Sequence, residues 1–163
     1  MTDRWDQHFL RQCLECASMS KDPNTRVGAV IVGPDMEPRS DGFNGFPRGI
    51  ADTVARLADR EIKNSLMVHA EQNAIYNAAR VGTSLKGCTM YLACTDDSGQ
   101  IWGGPPCSTH CTPGLIQVGI VEVVTYPFKS GESKWRENIE AARRMLLEAG
   151  IRYREVLAPG APA

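Results

Sequence analysis

Strands and helices alternate along this chain of 163 residues, which predicts an α/β fold: a three-layer α-β-α sandwich on a mixed, mostly parallel sheet. Two stretches carry that expectation. Val27-Gly28-Ala29-Val30-Ile31-Val32 is a continuous, β-branched run closed by Gly33-Pro34-Asp35, the make-up of a central strand covered on both faces. His69 to Arg80 sets Ala70, Ala74, Ile75 and Ala78 on one helical face, with side chains small enough for close approach to a sheet. With 42% apolar residues, the length suits one domain with one buried core, residues 1–157. The composition of the tail, residues 158–163, predicts disorder.

The remaining elements follow in order. Trp5, Phe9, Cys13 and Cys16/Ala17 recur at helical spacing, so residues 4–18 form an amphipathic helix with those side chains on its buried face. Cys13-x-x-Cys16 has metal-ligand spacing, but with no second pair near it the motif reads as core packing. A strand over 39–43 begins at Pro38 and suits an edge, because proline cannot donate to a ladder. Gly82 stops the helix that begins at His69. Thr89 to Ala93 and Val121 to Thr125 are strands, separated by a short helix from about Cys111 to Val118. Trp135, Ile139, Ala142, Leu146 and Ala149 trace the inner stripe of a long helix closed by Gly150, and a last strand runs from about Arg152 to Leu157.

Charge narrows the partners. The net charge is -1, with 18 basic residues dispersed among 19 acidic ones, so the broad basic footprint of a polynucleotide binder is absent. The first ten residues hold charges rather than an apolar signal, and no apolar run elsewhere is long enough to span a bilayer. The expected location is the cytoplasm, or a host's cytoplasm for a phage-encoded chain. In such a compartment six cysteines read as reduced thiols, some of them metal ligands.

Chemistry concentrates in two clusters, His69-Ala70-Glu71 and Pro106-Cys107-Ser108-Thr109-His110-Cys111. One imidazole and two thiolates give zinc three protein ligands and leave a fourth position for water, as in catalytic sites. His69 opens one helix and Cys111 another, and helix starts carry unpaired N–H groups that favour thiolate over thiol. Glu71, in the first turn, is placed to take a proton from a water whose pKa the metal lowers toward neutrality. A His-x-Glu alone arises often by chance. Its conjunction with Pro-Cys and a second cysteine opening the next helix matches the signature of zinc-dependent nucleobase deaminases.

Beyond that signature, residues 20–30 (SKDPNTRVGAV), 42–49 (GFNGFPRG), 69–77 (HAEQNAIYN), 86–91 (KGCTMY) and 116–120 (IQVGI) resemble the deoxycytidylate deaminases of the cytidine deaminase superfamily, over about residues 5–156. The resemblance implies hydrolysis of dCMP to dUMP and ammonia, a five-stranded sheet of order 2-1-3-4-5, and a homo-oligomer, a hexamer ahead of a dimer or trimer. It implies zinc on His69, Cys107 and Cys111, with Glu71 passing protons to N3 and the leaving amino group as hydroxide attacks C4. Asn44 and the backbone at Ala70 would contact the nucleoside, and Ser20, Lys21, Asn24 and Arg26 the phosphate, with Arg48 a further candidate. On the residues themselves, Lys21 and Arg26 also read as solvated surface charges and Asn44-Gly45 as a turn. Phe43, Gly45 and Arg48 fall in a segment that in many relatives serves activation by dCTP and inhibition by dTTP with Mg2+, although Phe43 lacks the usual tyrosine hydroxyl.

The departures from the family are specific. Three residues, rather than two, separate Cys107 from Cys111, and Pro113 delays regular helix to Thr109 or later, so the cysteines should meet zinc through a bulged loop. His110 is a rival ligand by chemistry, but as the neighbour of Cys111 it points elsewhere. The stretch 94–106 (CTDDSGQIWGGPP) is an insertion that reads as a loop, with Trp102 either a lid or a contact with a neighbouring subunit. Residues 50–66 lack the family's Leu-Pro-Trp segment. A 5-modified dCMP, another small nucleotide, a transfer RNA or single-stranded DNA, and a noncatalytic zinc module stand as alternative readings.

Overall fold

The computed structural model describes residues 4–128 and 135–158. In chain order the elements are α1 (Arg4–Ser18), β1 (Arg26–Val32), β2 (Pro38–Phe43), α2 (Val54–Ala58), α3 (Arg60–Leu66), α4 (Ala70–Val81), β3 (Thr89–Thr95), β4 (Ile101–Trp102), α5 (Cys111–Gln117), β5 (Glu122–Thr125), α6 (Arg136–Glu148) and β6 (Arg152–Glu155). The sheet runs β2-β1-β3-β5-β6, with the short β4 attached to β3. Counted over its long strands this is the 2-1-3-4-5 order. β1 is antiparallel to both neighbours, whereas β3, β5 and β6 are parallel, so every long strand but β1 shares one direction.

Two apolar layers sandwich this sheet. On one face Phe9, Leu10 and Cys13 of α1 meet Val30, Val32, Tyr91 and Val124. On the other, Ala70, Ala74 and Ala78 of α4, Leu115 of α5 and Leu146 of α6 meet Ala29, Ile31, Met90, Leu92 and Val123. Strand residues alternate between the layers, as a pleat dictates. Close approach depends on two glycines: a Cβ at Gly28 would lie 1.8 Å from the Cys13 carbonyl of α1, and one at Gly42 2.5 Å from the Ala70 carbonyl of α4. The edge position expected of β2 holds. Asn73 and Asn77 of α4 donate to its Phe43 and Asp41 carbonyls at 2.7 and 2.8 Å, which blunts that edge.

Several expectations need correction. Trp5 is 45% exposed, stacked on Phe9 rather than buried, and Trp135 is 47% exposed. Ala149 is exposed too, so the inner stripe of α6 narrows to Ala142 and Leu146. The positions on the buried face of α1 are filled instead by Leu10 and by Asp6, which pairs with Arg154 of β6 at 2.8 Å. Residues 94–106 are not wholly loop. Asp96 accepts from the Ser98 and Gln100 amides, turning the chain so that Trp102 pairs with Cys94 and Gly103 bridges Phe128. Residues 50–66 hold the unanticipated α2 and α3, each capped by a preceding Thr53 or Asp59. Of the tail, 159–163 lie outside the described residues, while Ala158 packs against the α1 layer.

Candidate active site

The C-terminal ends of β2, β3 and β5 and the start of β1 share one end of the sheet, since Arg26 faces Thr95 and Gly28 faces Phe43. α4 and α5 begin there. Gly45 and Val68 exchange backbone hydrogen bonds at 3.1 and 2.9 Å, which seats the loop after β2 against the residue before His69. His69 is the N-cap of α4, and its N–H donates to the Gln72 side chain at 3.2 Å. The first turn therefore fixes both the imidazole and Glu71.

The second cluster arrives on a widened turn. The Thr112 N–H donates to the Cys107 carbonyl at 3.0 Å and the Thr112 hydroxyl to the Pro106 carbonyl at 3.1 Å. That five-residue reach absorbs the extra residue between the cysteines. Cys107 sits before the helix, Cys111 is its first residue, and Pro113 falls in the first turn, where its missing N–H costs nothing.

His69 Nδ1 lies 3.2 Å from Cys111 Sγ and 3.5 Å from Cys107 Sγ, and all three ligand atoms fall within 4.8 Å of one another. A tetrahedral zinc with its usual bonds would set nitrogen and sulfur about 3.6 Å apart, so the donor set fits that ion in type and spacing. Among the described residues this is the one grouping of its kind. His110 is exposed and stands edge-on to His69, outside the cluster. Cys13 and Cys94 stay apart from it as well, their thiols pushed up by burial and therefore protonated and inert.

Electrostatics inside the cluster are asymmetric. Hydrogen bonds from the Cys111 thiol and the His69 ring lower Cys107 to about 3 against its burial, and the Cys111 backbone N–H adds another at 3.4 Å. The sulfur in the loop thus takes the benefit of the helix start. Cys111 is pushed up, first by Cys107 and then by burial, while Cys107 raises the His69 ring. Glu71 is 5% exposed, next to His69 and in hydrogen-bonding reach of the Cys111 thiol. Burial raises its carboxyl above the ordinary range, which eases its protonation.

The expected substrate residues gather at the same end. Ser20 is buried and donates to the Asn44 carbonyl at 2.8 Å. The Asn44 side chain accepts from the Val27 N–H at 2.8 Å and donates to the Thr25 carbonyl at 2.9 Å, so it clamps the entry of β1. Lys21 pairs with Asp52, and Arg26 with Asp97 of the insertion. Asn24 is exposed on the loop and Ala70 is the buried first residue of α4. Phe43 gives its carbonyl to Asn73, and Arg48 donates to Asn77 at 2.6 Å. Sequence reasoning missed Asp22, Asp52, Lys63 and Asp97, the partners that hold this loop. Their ion pairs span long separations that leave no local pattern, although Asp22 also makes a local turn with the Asn24 and Thr25 amides.

A three-layer sandwich with an imidazole, two thiols and a buried carboxylate at two helix starts defines a class, the zinc-type nucleobase deaminases. The sequence profile of the cytidine and deoxycytidylate deaminase zinc-binding region matches residues 3–127, and the chain belongs to that family. It is 34% identical to human deoxycytidylate deaminase over 158 residues, spanning 94% of this chain and 80% of the relative. With a deaminase of Aliivibrio fischeri it shares 35% identity over 153 residues, 93% and 92% of the two chains. The dCMP deaminase of cyanophage S-TIM5, solved with dCMP and dUMP, has the same fold, with a TM-score of 0.69 at 19% identity over 96% and 99% of the chains. No helix among the described residues is long and apolar enough to cross a membrane.

Proposed function

We propose that this protein hydrolyses dCMP to dUMP and ammonia in the cytoplasm. The observation that carries the reading is Glu71, a carboxyl 5% exposed beside the convergent His69, Cys107 and Cys111. His69 Nδ1 and the two sulfurs would hold zinc, which when bound supplies a water acidic enough to serve as nucleophile near neutral pH. Glu71 would relay both protons of that water in turn, the first to N3 of the cytosine as the oxygen adds at C4, the second from the resulting C4 hydroxyl to the amino group, which leaves as ammonia. Enclosed beside the three ligand atoms, the carboxyl is placed to act as base and acid in turn.

Recognition follows from the same end of the sheet. The backbone at Ala70, on the first turn of α4, meets the base; Lys21, Asn24 and Arg26 meet the phosphate; Ser20 and Asn44 hold the loop that presents them. A closed structural zinc site has no use for a carboxyl buried at its side, which disfavours the noncatalytic reading. Near-neutral charge disfavours a polynucleotide.

Ammonia release from dCMP, CMP, deoxycytidine, dCTP, guanine and 5-substituted dCMP, with Glu71→Ala as blank, tests the reading. Turnover of dCMP with an inert blank supports it; turnover confined to another substrate ends it. The oligomer and the dCTP and dTTP effectors rest on family resemblance. Sigmoidal dCMP kinetics made hyperbolic by dCTP would support the effectors, and indifference to both triphosphates would remove them.

A further inference from the structure

Between β2 and α4 the chain crosses the loop at residues 20–26 as α2 and α3, which bury no residue of their own and leave Val54 84% and Ile62 40% exposed. Apolar packing contributes little to holding this segment on the domain. Two ion pairs tie it to the loop, and they are unequal. Lys21–Asp52, at 2.9 Å, joins side chains 67% and 40% exposed, where solvent screens most of the attraction. Lys63–Asp22, at 3.2 Å, joins side chains 11% and 7% exposed.

Asp22 is the hub of the loop. Its Oδ1 accepts from the Asn24 N–H at 2.8 Å, the Thr25 N–H at 3.2 Å and the Lys63 ammonium at 3.2 Å. Its own N–H donates to the Ser20 hydroxyl, which donates to the Asn44 carbonyl, and the Asn44 side chain grips Thr25 and Val27. One run of hydrogen bonds thus leads from α3 to the first residues of β1. Lys21, Asn24 and Arg26 are carried on it.

We propose that Lys63 is a positioning residue for the substrate's anionic end: paired with the buried Asp22, it fixes the loop at residues 20–26 in the conformation that presents Lys21, Asn24 and Arg26. Lys63 does not itself bind phosphate, because its ammonium is enclosed and spent on Asp22. The assignment deepens the deaminase reading and rests on it.

The test is the pair Lys63→Met with Asp22→Asn. Lys63→Met alone strands a buried carboxylate and risks unfolding, whereas the double variant removes both charges and keeps an Oδ1 for the Asn24 and Thr25 amides. The double variant is expected to retain zinc, with kcat within about threefold of the parent and KM for dCMP raised about tenfold or more. Deuterium uptake across residues 20–27 should rise, and Lys63→Arg, which keeps the pair, should stay near the parental KM. An unchanged KM in the double variant, or a loss confined to kcat, overturns the proposal while leaving the deaminase reading intact. Parental protein inert toward dCMP overturns both.

Discussion

Two buried polar clusters lie on opposite sides of this sheet, and they are built to different rules. In the α1 layer Asp6 and Glu122, 2% and 7% exposed, share Arg154, which donates to Asp6 at 2.8 and 3.0 Å and to Glu122 at 2.9 Å, while Tyr91 donates to Asp6. Each carboxylate there has its cation. At the active site Glu71 is buried as deeply, yet burial dominates its titration and its neighbours are a histidine and thiols. A satisfied cluster fastens β6 to α1 and β5; an under-compensated one keeps a carboxyl able to change its proton. Polar burial by itself therefore does not mark a site; what sets Glu71 apart is a buried carboxyl beside a histidine and thiols instead of an arginine or lysine.

That contrast can be broken or sharpened by substitution. The largest effect should come from Cys107→Ser or Cys111→Ser, which remove bound zinc and with it measurable deamination, while His110→Ala keeps the metal; metal analysis showing the reverse would overturn the ligand set. Glu71→Ala should keep zinc and lower kcat about 100-fold or more, and a variant of parental activity would remove Glu71 from the chemistry. Arg154→Met is the counterpart in the other cluster. It leaves Asp6 with only the Tyr91 hydroxyl and Glu122 with Arg152 at 3.3 Å, and should lower stability by about 2–3 kcal/mol in denaturant titrations, below the cost of breaking a fully buried pair because Arg154 is 43% exposed and Glu122 keeps a cation. Its kcat should stay parental where the protein is folded, and a kcat loss like that of Glu71→Ala would erase the distinction. Smallest is Trp102→Ala, expected to change nucleotide kinetics a few-fold with zinc content and oligomer state intact if the residue is a lid; a changed oligomer would make it a subunit contact.

Much of the site was legible because its chemistry is local. His69 and Glu71 share one helical turn, and Cys107, Cys111 and Pro113 share one loop, so residue type and spacing suffice to mark them. The bulge followed from the wider Cys107–Cys111 spacing together with Pro113. The partners of the substrate loop were not legible: Lys63 lies 41 residues from Asp22, and Asp97 71 residues from Arg26. Trp5 and Trp135 misled for a related reason, since periodicity assigns a helical face but cannot say where the neighbouring layer ends.

By itself the sequence determined the alternation of strands and helices and the edge position of β2, consequences of backbone propensity and pleat, and it singled out His69, Cys107 and Cys111 as candidate ligands by their donor chemistry, all read within a few residues. Only the tertiary structure decided that Asp6, rather than Trp5, occupies the buried face of α1, that residues 94–106 add a strand beside β3, and that α3 reaches back to Asp22. Those outcomes depend on which charges meet across the fold. A buried carboxylate finds its cation only once the chain has brought distant segments together.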